Sequence, residues 1–171
     1  MERGFADYSK SIKHGEDPRV TQRAALRDSR AKLKETASSL GYSGVQSALG
    51  GNTKTDKNKA LGDITAGLTL APHSMHGIGD HTACSRSTAE CRDGCLGFTT
   101  GQNAMLSNLV SKIAKHQTMA THPEHFARNL HAEMLNHVDQ IADYNKGKPK
   151  NKRLDASVRL NMVTDYPMHK W

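Results

Sequence analysis

The sequence predicts an α/β fold: a small parallel-strand sheet with packed helices, in the manner of a partial or fragmentary α/β barrel, preceded by a basic helical N-terminal segment. Three observations carry this expectation. Two short β-favouring runs, DITAGLTLAP at 63–72 and SVRLNMVTDYP at 157–167, stand far apart in the chain. Between them lie two stretches whose apolar residues recur every three or four positions, the period of a helix. Strand, helices, strand is the order of a crossover, and crossovers join parallel strands.

Taken in order, residues 1–16 read as an arm. A helix is expected from Asp17 to Leu40, with Pro18 in its first turn and Gly41 as its stop. Its apolar stripe (Val20, Ala24, Ala25, Leu33, Ala37, Leu40) is thin and flanked by Arg19, Arg23, Arg27, Arg30, Lys32 and Lys34. Such a helix is expected against the surface or a neighbouring subunit. The run GGNTKTDKNKALG at 50–62 is polar and reads as a loop, and the domain division follows: 1–49 a basic arm and helix, 50–171 an α/β domain. Lys54 in this run is a candidate ligand-binding residue, although GGNTKT lacks the order of a Walker phosphate loop.

The first strand ends at Pro72, and the loop from His73 to Gly101 is 29 residues long. A loop of that length in a compact domain has a function or something that ties it down. Leu106, Leu109, Val110, Ile113 and Gln117 then trace one face of a helix. Thr121-His122-Pro123-Glu124 reads as a capping box opening the next, whose stripe is Phe126, Leu130, Met134, Val138 and Ile141. NKGKPKNKR at 145–153 is a basic turn. In the second strand Val158, Leu160 and Met162 share one side.

The formal charge is +7, with 12 Lys and Arg against 7 Asp and Glu in residues 1–60. A basic leading segment steers toward nucleic acid or an acidic host protein. With 36% hydrophobic residues and a mean hydropathy of -0.68, the chain is thinly apolar, which makes self-association a further expectation. No apolar run approaches the ~18 residues of a membrane span, and the N-terminus has no secretory apolar core. A cytoplasmic, reducing compartment is therefore expected, where structural disulfides are rare.

All three cysteines, Cys84, Cys91 and Cys95, fall in HTACSRSTAECRDGC at 81–95. An odd, clustered set of thiols in a reducing compartment points to metal or redox chemistry. Two centres suit it. Zinc takes three sulfurs plus a histidine, with His81, His76 or His73 as the fourth ligand. Alternatively, three cysteines hold a [4Fe–4S] cluster with one iron open to a ligand. His116, His122, His125, His131 and His137 lie on expected helices, and HAEMLNH at 131–137 is not a metalloprotease motif. At the end of the second strand, Arg159 and Asn161 are candidate ligand-binding residues and Asp165 a candidate acid/base. Ligands of parallel sheets gather beyond the carboxyl ends of the strands.

GGNTKTDK (50–57), ITAGLTLAPHSMHGIGDHTACSRSTAECRDGCL (64–96) and RLNMVTDYP followed by Trp171 together resemble the phage "gene 88 protein" family over residues 50–171. The resemblance implies a phage-encoded protein acting in the host cytoplasm. The cysteine loop after a first strand is also similar in layout to radical-SAM enzymes. That likeness implies a [4Fe–4S] cluster on Cys84, Cys91 and Cys95 with S-adenosylmethionine as co-substrate. The spacing here, C-x6-C-x3-C, is longer at both steps than the usual C-x3-C-x2-C. The alternative left open is a zinc-stabilised, non-enzymatic module that binds nucleic acid or a host protein through the basic N-terminal segment.

Overall fold

The computed structural model describes residues 18–39, 41–43, 47–51, 53–73, 82–95, 106–160 and 162. Helix α1 spans Pro18–Ser39, with proline where a missing N–H breaks no intrahelical bond. It stops as the sequence predicts. Gly41 adopts φ +83°, its N–H reaches the Ser38 carbonyl at 3.0 Å, and the Tyr42 N–H reaches the Ala37 carbonyl at 2.8 Å. These two bonds satisfy carbonyls that the helix end would otherwise orphan.

Leu26, Leu33, Thr36 and Ala37 form the buried stripe of α1, whereas Val20 is exposed. The stripe packs mainly on the long C-terminal helix rather than lying on the surface. Leu33 and Ala37 join Leu68, Leu70, Met119 and Phe126 in one hydrophobic cluster.

After α1 come strand β1 (Leu49–Gly50), the short helix α2 (Thr53–Asp56) and a 3-10 turn (Lys57–Leu61). The run expected as a loop thus contains helical turns packed against the next strand, β2 (Asp63–Leu68). Helix α3 (Ala89–Asp93) lies in the cysteine loop; α4 (Leu106–Thr121) and α5 (Pro123–Asn145) follow. A 3-10 turn (Lys150–Lys152) leads into β3 (Asp155–Arg159).

The sheet order is β1-β2-β3. β2 and β3 are parallel, as the crossover order requires, with Asp63 opposite Asp155, Thr65 opposite Ser157 and Gly67 opposite Arg159. β1, which the sequence pattern did not signal, pairs antiparallel on the other side of β2. Alternation puts Ala66, Leu68 and Val158 toward the helices. Asp63, Thr65, Gly67 and Ser157 take the opposite face. Both strands are shorter than expected, and residues 163–167 of the expected second strand lie outside the described residues.

Two local expectations are corrected. Thr121 does not cap α5: it is still the last residue of α4, and its hydroxyl donates back to the Gln117 carbonyl at 2.7 Å. His122 takes the N-cap position without a side-chain cap bond. On α5, Val138 is 51% exposed, while Asn129 and Glu133 are buried beside Phe126 and Leu130. The inward face is rotated from the purely apolar stripe because it accommodates polar partners. Among the described residues no helix is long and apolar enough to cross a membrane.

Candidate functional site

The carboxyl ends of the parallel pair do meet at one edge. The Met162 N–H extends the ladder beyond β3 to the Leu68 carbonyl at 3.2 Å. Gly67 makes this approach feasible: a Cβ there would lie 2.6 Å from the Met162 sulfur. Beyond β2, Leu70, Ala71 and Pro72 are buried, and His116 Nδ1 meets the Ala71 carbonyl at 3.2 Å, a contact made by the Nδ1–H tautomer.

The cysteine loop is anchored at the same core. Ala83 is fully buried in the cluster that holds Leu68 and Leu70, so Cys84 starts from a fixed point. The Cys84 N–H donates to Thr82 Oγ1 at 3.1 Å, and its carbonyl accepts the Ser87 amide at 3.1 Å and hydroxyl at 2.8 Å. Thr88 then caps α3, accepting the Cys91 N–H at 3.2 Å. Glu90 lies in the first turn, where hydrogen bonds to its own backbone amide and to Thr88 hold its carboxyl below the ordinary value. The Cys95 N–H closes the turn on the Arg92 carbonyl at 3.3 Å.

Helix α3 buries no residue. Cys84 and Cys95 are half-buried, Cys91 is exposed, and none of the three is in a disulfide. Among the described residues, no group of three or more His, Cys, Asp or Glu side chains is arranged to hold a metal ion. The thiol chemistry suits a soft metal, but the three sulfurs are not gathered into a preformed centre. His81, Asn161 and Asp165 lie outside the described residues, as does the side chain of Lys54, whose backbone belongs to α2. Arg159 is exposed at the end of β3, opposite Gly67.

Two polar clusters were not anticipated from the sequence. The first surrounds Glu133, which is 3% exposed. Its carboxylate accepts the Leu49 amide at 2.8 Å, the Ala48 amide at 3.1 Å, the Ser47 hydroxyl at 2.6 Å and the Asn129 amide at 3.1 Å. Arg30 of α1 approaches it at 3.6 Å. Across from it, Lys112, Lys115 and His116 share a face of α4 by their three- and four-residue spacing. Burial lowers both lysine ammonium groups from their usual value; at Lys115 the Glu133 charge opposes that shift and Lys112 adds to it. A cavity of about 340 Å³ opens beside this seam, lined by Arg30, Ala31, Lys34 and Ser47.

The second cluster sits at the opposite edge, where the strands begin. Asp63 Oδ1 accepts the Ser157 hydroxyl at 2.6 Å and the Thr65 hydroxyl at 2.7 Å, and Asn58 donates to Thr65 at 2.8 Å. The hydroxyls of Ser157 and Thr65 lower the Asp63 carboxyl below its ordinary value, with a smaller contribution from His137. His137 does not face a nucleophile; its Nε2–H donates to the Ile64 carbonyl at 2.9 Å. These bonds are structural ties between the 3-10 turn and the two strands.

The sequence signals of these clusters are weak. Glu133 and Asn129 are four residues apart inside an apolar stripe, and Asp63 and Ser157 each stand next to a strand apolar, Ile64 and Val158. No protein-family model matches the chain, and neither curated proteins nor solved structures yield a match to it.

Proposed function

We propose that the protein is a metal-binding protein whose cysteine loop, at the carboxyl edge of the parallel strand pair, takes a thiophilic centre through Cys84, Cys91 and Cys95, with His81 as a fourth ligand where the metal is zinc. One observation carries the reading. All three thiols belong to a 14-residue described segment, 82–95, that is tied to the body through Ala83, while its own helix buries nothing. A segment with no core of its own gains from coordination the folding free energy that packing does not supply, on the order of 10 kcal/mol for a structural zinc. Local hydrogen bonds with the Thr82, Ser87 and Thr88 hydroxyls already shape the backbone around Cys84 and Cys91.

The resemblance to the gene 88 family extends the proposal to a phage-encoded protein in the host cytoplasm. In the enzymatic form, a [4Fe–4S] cluster would supply electron transfer, with S-adenosylmethionine as ligand. Arg159 and Asn161 would then bind a substrate and Asp165 move a proton. An extended barrel would grow past β3, because the antiparallel β1 occupies the other side of β2. In the non-enzymatic form, zinc only folds the loop. The cavity bounded by Arg30 and Lys34 favours, for that form, an anionic partner on the basic N-terminal helix.

Metal analysis of protein purified without oxygen tests the proposal. A stoichiometric metal lost on replacing the three cysteines with serine supports it: colourless protein with zinc selects the structural form, brown protein with iron and sulfide the redox form. Metal-free protein that takes up neither zinc nor a reconstituted cluster overturns it.

A further inference from the structure

The edge of the sheet opposite the cysteine loop carries a different chemistry. Three segments converge there: the 3-10 turn ending at Leu61, the end of α5 at Tyr144 and Asn145, and the loop 146–154. The Gly62 carbonyl accepts the Asp155 amide at 2.8 Å, and Asn145 clamps Leu154 from both sides, Nδ2 to its carbonyl at 2.7 Å and Oδ1 from its amide at 2.9 Å. The segments 57–62 and 144–155 hold seven of the chain's 24 Lys and Arg and only one of its 17 Asp and Glu. The rest of the chain is therefore close to charge balance. These two segments alone carry a net +6 of the chain's +7.

These cations stand on a built turn. The Lys148 amide reaches the Asn145 carbonyl at 3.1 Å, the Lys152 amide reaches the Pro149 carbonyl at 2.9 Å, and Arg153 Nε donates to the Lys148 carbonyl at 3.0 Å. Gly147, at φ +74°, supplies the left-handed residue the turn needs. Lys57, Lys59, Lys150, Lys152 and Arg153 are all exposed. Among them lie Tyr144, 46% exposed with the Lys148 ammonium over its ring, and Leu61, 85% exposed. Asp143 offsets part of the charge by pairing with Lys146 at 2.6 Å.

We propose that this end of the molecule docks the phosphate backbone of single-stranded nucleic acid, with Lys57, Lys59, Lys150, Lys152 and Arg153 facing phosphates and Tyr144 offering apolar surface to a base. A pre-shaped basic turn spends little ordering entropy on binding, and aromatic side chains among cations are the usual platform for single strands. An anionic membrane is the poorer match, because this edge presents no amphipathic helix to enter lipid. The proposal stands independently of the cysteine loop.

Fluorescence anisotropy with a labelled 20-nucleotide single strand tests it. With about five phosphate contacts, affinity should fall about 100-fold between 50 and 200 mM salt, a slope near -3.5 on logarithmic axes. The double variant Lys150→Glu/Lys152→Glu should weaken binding at least tenfold and flatten the slope by about 1.4, with an unchanged circular dichroism spectrum. The control Arg128→Glu, at an exposed position of α5 away from this turn, should bind as the parent does. No binding at low salt, equal loss in the Arg128→Glu control, loss on replacing the basic residues of α1 but not Lys150 and Lys152, or binding to anionic phosphatidylserine vesicles but not to the oligonucleotide would overturn the proposal.

Discussion

Glu133 of α5 accepts the backbone amide of Leu49 at 2.8 Å, so a helix carboxylate fixes the start of the sheet's antiparallel edge. The same side chain takes the Ala48 amide and the Ser47 hydroxyl. It therefore satisfies three donors on a segment that follows α1 and has only two strand residues of its own. Removing it strands those donors and leaves Lys115 without its opposing charge. Glu133→Ala should cost about 3–5 kcal/mol, whereas Glu133→Gln, which keeps an acceptor oxygen, should cost about 1–3 kcal/mol. Urea denaturation of the two variants measures the difference.

Gly67 and Met162 form a second such relationship. An alanine Cβ at 67 would sit 2.6 Å from the Met162 sulfur and 2.7 Å from its Cγ. The side chain of Met162 must then move out of a site where it is 7% exposed. Gly67→Ala should destabilise by about 1–3 kcal/mol, as overpacked sites do. In a Gly67→Ala/Met162→Ala double variant the two penalties should sum to less than the separate losses, because the clash no longer exists.

Where burial is apolar and periodic, the sequence could be read directly. Pro18 and Gly41 bracket α1, Phe126 and Leu130 mark the inner face of α5, and the order of elements set β2 and β3 parallel. Where burial is polar, it could not. Glu133 and Lys112 look like surface residues until tertiary structure supplies their surroundings, since no local pattern announces a backbone amide 84 residues away. β1 escaped notice because two residues carry no period. The cysteines were conspicuous in composition, but their mutual placement depends on a loop that makes few contacts with the core, which hydrophobic patterning does not govern.

The Asp63 carboxyl gives stability a dependence on acid. Hydrogen bonds from Ser157 and Thr65 lower its pKa in the folded chain from 3.8. A group depressed by folding contributes fully above its unfolded value, and that contribution is lost as pH falls from there through the folded value. The melting temperature should therefore drop below about pH 4 more steeply in the parent than in Asp63→Asn. Ser157→Ala, which removes the largest cause of the shift, should flatten the same region. Thermal scans across the acid range resolve both slopes.

Cys91 separates a metal role from a packing role. Its side chain is exposed on a helix that buries nothing, so Cys91→Ser should change the stability of the metal-free chain by no more than about 0.5 kcal/mol. If the thiol ligates a centre, the same substitution should sharply reduce metal retention and open the 82–95 segment to protease in metal-loaded preparations. Limited proteolysis of parent and variant, each with and without a chelator, gives four digests to compare. Protection in the parent alone, abolished by the chelator, is the expected pattern. Equal cleavage in all four would mean that coordination contributes nothing to holding this loop.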